Sequence, residues 1–250
     1  MRKLDVDSYD MILKDICKNP RGTVYPLSIA ERKQYGDIFL SDDSVLLWHY
    51  SGFAYIFGSC KDNFLKQIYR EFLTADGLPR RFILFTADPK VELYFRNKTR
   101  LVFGRRYYFE YPQKTGFSPK PLPQGYEACK FEKAVFDSIE GRITPRFSWR
   151  NAEEFQKNGM GFCITHRGKP ASWAFSAAAS SNELDIGIET SPEYRHKGLA
   201  VFSAEQMIKY CLEQRKLPVW SCDTGKIASR KLAEKLGFSV IAEYTTIKAE

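Results

Sequence analysis

Over Glu183-Leu-Asp-Ile-Gly-Ile-Glu-Thr190 apolar residues alternate with polar ones, the period of a strand that turns one face to a core. Past Pro192 the period changes. Ala200, Ala204, Met207, Ile208, Cys211 and Leu212 recur at helical spacing, which predicts an amphipathic helix over Leu199 to Leu212 lying on a sheet. Pro218 opens a further strand to Asp223, and Asp223 or Thr224 can cap the helix that follows. In that helix Ala228, Leu232 and Leu236 share a face, Gly237 supplies a left-handed stop, and a strand runs from Phe238 to Ile247.

The same two periods recur upstream. Strands are predicted at Ser44 to Tyr50, Phe53 to Gly58, Arg81 to Thr86 and Leu101 to Tyr111, with a helix from Asp62 to Thr74 and a short one after Pro89. Later come a strand at Gly125 to Phe131, helices near Lys133 to Glu140 and Asn151 to Lys157, and a hairpin. In the hairpin Gly161 to His166 and Pro170 to Ala177 flank Arg167-Gly168-Lys169. Between Tyr111 and Glu127 the chain is dense in Pro and Gly, residues that continue neither helix nor ladder, so two domains are expected, 1–118 and 119–250. Helices alternate with strands in both, giving a mixed α/β class. The order of elements in the first echoes the second weakly, so two related half-folds in tandem and an ordinary α/β alternation are both open.

Composition narrows the field little. A chain of 250 residues with 44% apolar content can bury one large core or two small ones. No apolar run approaches bilayer length, and residues 1–15 mix acids with bases instead of forming a signal segment, so a cytoplasmic protein is expected. Six cysteines stand singly among apolar or aromatic neighbours and read as buried, reduced thiols; with no Cys-x-x-Cys pair and only three histidines, no metal site is predicted. Cys222 has no neighbouring His to activate it and reads as core. The net charge of +8 suits an anionic ligand without identifying one.

Candidate chemistry concentrates at Thr190-Ser-Pro-Glu-Tyr-Arg195-His-Lys-Gly198-Leu-Ala200. A strand that passes through a basic, glycine-containing turn into a helix brings unpaired amides and the positive dipole end to one point, where a pyrophosphate can sit. Alone, a solvated basic turn explains it equally well. Together with Ser229-Arg-Lys-Leu232-Ala-Glu-Lys-Leu-Gly237-Phe238, however, the segment from Glu183 to Ala200 resembles the GNAT superfamily of acyl-CoA-dependent N-acyltransferases. Phe147-Ser-Trp149, Gly159-Met-Gly161-Phe162, Ala171-Ser-Trp173 and Trp220-Ser-Cys222 are similar to the branch typified by zwittermicin A resistance acetyltransferases. In the first half the likeness is looser, at Gly22-Thr-Val-Tyr25 and Phe53 to Gly58.

The resemblance implies a GNAT fold for residues 119–250, with a smaller α/β domain over 1–118 that shapes the acceptor site or is a degenerate half of the same kind. It implies acetyl-CoA as acyl donor, held by the backbones of Ile188, Glu189 and Thr190, by the turn Arg195, His196, Lys197, Gly198, Leu199 and Ala200, and by Lys226 and Ser229. Two positions depart from the family: Lys226 stands where many members have Asn, and Ala233 where many have the Tyr that protonates the departing thiolate.

Acetyl transfer needs a neutral amine. Neutralising a lysine-like amine at pH 7 costs roughly 4 to 5 kcal/mol, so a strongly basic acceptor requires a general base. Glu183, Asp185 and Glu189 fall on one face of the same strand by alternation and are the candidate bases; an acceptor-binding role without proton transfer is the other reading. Backbone amides of that strand could stabilise the oxyanion. Trp149, Trp173 and Trp220 could line an acceptor cleft, although core packing suits the last two better. The basic, aromatic run from Arg96 to Tyr111 could contact nucleic acid, although an amphipathic strand pair explains it more simply.

The expected activity is acetyl transfer from acetyl-CoA to an amine of a small molecule, for which an antibiotic is one candidate, by direct attack. An aminoacyl-tRNA-dependent transferase and a catalytically silent CoA-binding sensor stay open, as do monomer and homodimer.

Overall fold

The computed structural model describes residues 1–18, 22–112 and 121–250. The first half contributes β1 (Arg2–Lys3), α1 (Leu13–Cys17), α2 (Val24–Ala30), β2 (Gly36–Ser41), β3 (Ser44–His49), β4 (Phe53–Gly58), α3 (Asp62–Ile68), β5 (Ile83–Thr86), α4 (Pro89–Arg96) and β6 (Leu101–Glu110). From the second come β7 (Glu127–Lys130), α5 (Lys133–Ser138), α6 (Ala152–Asn158), β8 (Gly161–His166), β9 (Lys169–Ala179), β10 (Glu183–Thr190), α7 (Leu199–Glu213), β11 (Leu217–Asp223), α8 (Ile227–Leu236) and β12 (Ser239–Ala249).

All the strands join one mixed sheet in the order β1-β2-β3-β4-β5-β12-β6-β11-β10-β9-β8-β7. Its centre is interleaved. β6 lies between β11 and β12, and β12 lies between β6 and β5, so each half of the chain lends a strand to the other. Two neighbouring pairs are parallel, β4 with β5 and β10 with β11, and each is joined by a helical crossover, α3 and α7 respectively. The predicted boundary at 118/119 lies outside the described residues.

Local chemistry explains the elements around the site. The β8–β9 hairpin turns on Arg167 and Gly168, both at positive φ (51° and 76°), as a tight turn between twisted strands requires. α7 buries Ala204, Met207, Ile208 and Cys211 against a core that includes Leu184, Ile186, Trp220 and Phe238. Gly237 at φ 99° closes α8, as its left-handed stop requires. The buried face of α8 is carried by Ala233 and Leu236, while Ala228, expected on that face, is exposed. Neither Asp223 nor Thr224 caps α8 through its side chain; Lys226 occupies the N-cap and its amide donates to the Asp223 carbonyl.

Nothing was predicted before Ser44, yet the chain there forms β1, a 3-10 turn over Val6–Ile12, α1, α2 and β2. Every residue of α2 is buried, so it has no polar face and no helical period to read. The expectation of six buried thiols is corrected: Cys17, the last residue of α1, and Cys129, on the edge strand β7, are exposed, and Cys60, in the loop after β4, is half-buried; Cys163, Cys211 and Cys222 are buried, and all six are free. Burial pushes the Cys163 and Cys211 thiols up to about 12, which keeps them protonated and unreactive.

Candidate active site

β10 and β11 pair only from Glu183–Leu217 to Asp185–Val219. Beyond that point β10 stays on β9 and β11 stays on β6, so the facing edges of Ile186–Thr190 and Trp220–Asp223 part from one another. The direction of their polar groups follows from the partners. The Ser191 amide donates to Ala171 of β9, and the Glu189 carbonyl accepts from Ser172 Oγ on the same side. Backbone groups alternate along a strand, so those of Ile188 and Thr190 face the gap.

At the wide end of the gap the chain turns through His196 (φ 63°) and Gly198 (φ 79°) into α7. A Cβ on Gly198 would meet nothing within 4 Å, so the glycine is there for its φ and the space beside it is open. Val201 and Phe202 donate back to the Gly198 carbonyl, whereas the amides at the start of a helix have no intrahelical acceptor. No acidic residue lies in the first turn of α7. A cavity of about 1240 Å³ runs from this turn across the sheet, lined at the near end by Ile188, Thr190, Arg195, Ala200, Lys226 and Ser229.

The remaining turn residues divide. Leu199 is 1% exposed and packs with Ile164 and Ala171, so only its backbone faces the turn. Lys197 lies 5.2 Å from the Tyr194 ring centre, and Arg195 Nε donates to the Thr190 carbonyl at 3.4 Å. Ser229 Oγ accepts from Trp220 Nε1 at 3.1 Å. Ala233 is fully buried in the α7–β11 core and brings no hydroxyl to the cavity.

Glu183, Asp185 and Glu189 share a face but not an environment. Thr23 Oγ1 donates to Glu183 at 3.2 Å, and the Tyr25 hydroxyl donates to Asp185 Oδ2 at 2.9 Å. Glu189 instead takes the Ile143 amide at 2.6 Å, which fixes the loop ahead of α6. Burial raises Glu183 to about 7, opposed by the Thr23 hydrogen bond, and raises Asp185 to about 6, opposed by the charge of Arg106. Both buried carboxylates therefore titrate near neutrality. Asp185 stands where β10 and β11 begin to part and lines the cavity, and its Oδ1 has no hydrogen-bond partner among the described residues.

The first half builds the far end of the cavity, which the sequence had left without residues. Tyr25 on α2 meets His49 edge-on at 5.1 Å, Phe53 at 5.2 Å, and stacks on Tyr55 at 6.1 Å. His49 is fully buried and burial drops its pKa to about 3, so it packs against Tyr25 as a neutral ring. Phe53, Phe85 and Phe147 face Arg81 and Arg106 there. The signal present was the Gly22–Tyr25 and Phe53–Gly58 similarity, which carried no role.

One expectation is corrected at this site. Trp149 is fully buried, donates to the Ser176 carbonyl and packs on Phe155, so it is core and not cleft. The basic run from Arg96 to Tyr111 supplies the end of α4 and strand β6, in line with the simpler strand reading; Arg96 and Arg105 pair with Glu92 and Arg106 with Asp223.

Residues 16–247 match the GNAT acetyltransferase family. The chain belongs to that family. A GNAT relative from Bacillus subtilis (strain 168), the uncharacterized N-acetyltransferase YdfB, is 29% identical over 170 residues; the match spans 66% of this chain and 65% of the relative. A GCN5-related N-acetyltransferase-like protein from Streptococcus suis superposes with a TM-score of 0.73 at 21% identity, over 98% of this chain and 100% of that one. A tandem GNAT protein from the clavulanic acid biosynthesis pathway gives 0.62 at 11% identity, over 97% and 93%. At those identities the two structures share the GNAT fold, and the mixed sheet with its parted parallel strands is its expression here. No described helix is long and apolar enough to cross a membrane.

Proposed function

We propose that the chain transfers an acetyl group from acetyl-CoA to an amine of a small molecule. The observation that carries this reading is the parting of β10 from β11 after Asp185, with an open, basic helix start at one end of the gap and two buried carboxylates at the other. The residues fit the donor. Amides of His196–Ala200 with Arg195 and Lys197 receive the pyrophosphate, the gap-facing backbone of Ile188 and Thr190 receives the pantetheine amides, and Lys226 at the start of α8 adds a cation to the near wall. Bound acetyl-CoA supplies the acetyl group as a thioester.

Asp185 is assigned as the general base. It lies at the apex of the gap, its buried Oδ1 makes no close hydrogen bond among the described residues, with Ser221 the hydroxyl beside the carboxylate, and its raised pKa leaves it ionised at neutral pH yet basic enough to take a proton. Tyr25 holds the other oxygen and so orients it. As the amine nitrogen bonds to the acetyl carbon and the carbon–sulfur bond breaks, the amine proton passes to Asp185; the thiolate needs no acid on α8, in keeping with the buried Ala233. Glu183, one pleat deeper, holds its own proton up to about pH 7 because of its burial, and Glu189 acts in positioning through Ile143. The first half, residues 1–118 in the expected division, acts as the wall of the acceptor site. The similarity to zwittermicin A resistance acetyltransferases supports a small-molecule acceptor. The test is a thermal-shift titration with acetyl-CoA, longer acyl-CoAs and free CoA; no stabilisation by acetyl-CoA would sink the reading.

A further inference from the structure

The far end of the cavity holds a cation with no anion beside it. Arg81 Nε donates to the Ser51 carbonyl at 2.6 Å, and its guanidinium carbon lies 4.6 Å from the Phe147 ring centre and 5.4 Å from that of Phe53. Three contacts thus fix the plane of the group. Among the described residues no carboxylate pairs with Arg81 and no acceptor meets either terminal nitrogen. The neighbouring arginines differ: Arg80 reaches Asp37 at 2.6 Å, and Arg106 reaches Asp223 at 3.2 Å. The placement is built into the backbone, because a Cβ on Gly52 would lie 2.2 Å from Arg81 Cγ, and only glycine lets the stem pass.

A second guanidinium reinforces the first. Arg106 lies 5.2 Å from the same Phe53 ring, on which both charges converge. Arg81 keeps an exposed surface; desolvation of its packed part, opposed by Tyr25, and the charge of Arg106 lower its pKa, a cost that a bound anion would offset. At the opposite pole Tyr25, in edge contact with Phe53, carries the hydrogen bond to Asp185. One aromatic wall therefore joins a carboxylate that takes a proton to a fork of free N–H donors.

We propose that the acceptor amine also carries an anionic oxyacid group, a carboxylate by its planar match to the guanidinium fork, which pairs with Arg81 while its apolar body lies on Phe53 and Phe147. The inference rests on the acetyl-transfer reading of this cavity and narrows its substrate class. A guanidinium held at Nε presents its terminal nitrogens as parallel donors, the geometry that a carboxylate or phosphate accepts in two bonds. A polyamine would instead bring further positive charge to Arg81 and Arg106.

The test is kinetic and uses matched amines: aromatic and aliphatic amino acids, their methyl esters, the corresponding decarboxylated amines, and O-phosphoethanolamine, each followed by release of CoA thiol at saturating acetyl-CoA. The expected result is turnover of an acid with kcat/KM about 10²-fold above its ester. Arg81→Gln should bring that ratio near unity, mainly through KM, and Arg81→Lys, which keeps the charge without the fork, should restore part of it. Both variants should keep the parent's acetyl-CoA thermal shift. Preference for the phosphate over the carboxylates, lost in Arg81→Gln, would also support the pairing. Equal rates for acid and ester, turnover confined to uncharged or cationic amines, no turnover of any amine despite an intact acetyl-CoA shift, or an unchanged ratio in Arg81→Gln would overturn it. A weaker acetyl-CoA shift in Arg81→Gln would assign the residue to the donor and overturn it as well. Absence of the shift in the parent would instead remove the acetyl-transfer reading itself.

Discussion

The two parallel strand pairs, β4–β5 and β10–β11, have the same frame and opposite chemistry. Each pair is registered over a few residues and crossed by a helix, α3 or α7. Behind β10 the turn is basic, Gly198 has open space beside it, and α7 runs for 15 residues with no acid in its first turn. Behind β4 the turn is filled. Gly58 also has positive φ (96°), but a Cβ there would lie 2.0 Å from the Asp43 carbonyl. Asp43 takes Ser59 at 2.6 Å and Lys61 at 3.3 Å, and Asp62 opens the seven residues of α3. Within the registered part of β4–β5, Phe85 packs on Phe53 at 4.9 Å and on Tyr55 at 5.1 Å. Topology alone therefore makes no anion site; charge and room in the turn decide it.

The comparison can be broken from the active side first. Gly198→Asp gives the second turn the acidity of the first and forces a non-glycine residue to φ 79°, so acetyl-CoA affinity should fall on the order of 10²–10³-fold in a thermal-shift titration. An unchanged shift would mean that the cradle lies elsewhere. Next in size, Asp185→Asn should lower kcat by about 10²-fold while the protein still binds acetyl-CoA. In the parent, kcat/KM should rise as Asp185 loses its proton through about pH 6, and the variant should lack that limb. Persistence of the limb would move the base to another group.

Glu183 gives a smaller effect, read in stability. The folded chain holds its proton up to about pH 7, while an unperturbed glutamic acid releases it near 4.5. Its contribution is therefore complete below pH 4.5 and is lost as pH rises to 7, a span on the order of 3 kcal/mol. Glu183→Gln should remove that fall, seen as a parent-minus-variant unfolding free energy that declines between those pH values; a flat difference would contradict the buried, protonated state. The least effect is expected from the inert side. Asp62→Asn should leave acetyl-CoA stoichiometry unchanged in calorimetry, because relieving one charge does not clear Asp43 from the turn. A second equivalent bound would show that acidity alone had closed the site.

How much of this was legible follows from what each pattern encodes. The strand Glu183–Thr190 was read to its ends and α7 to within a residue, because a change from period two to period 3.6 across a Pro and a Gly is a local signal. The shared face of Glu183, Asp185 and Glu189 was legible from alternation. Their different partners were not: Thr23 and Tyr25 lie 160 residues from the carboxylates they meet, at the cap and in the first turn of a helix buried all round that contains Pro26. Arg81 was invisible for a related reason. Its isolation from acids depends on which strands neighbour β5, and that order comes from long-range pairing that no local pattern holds.

The interleaved centre of the sheet has a consequence for how the molecule is made. Residues 239–249 fill the space between β5 and β6, so the sheet cannot close when those earlier strands leave the ribosome. Until the nascent chain has been extended through Ala249, β5 and β6 keep open edges, the condition that invites wrong pairing and chaperone capture. The far wall of the cavity is thus among the first parts synthesised and among the last to be locked.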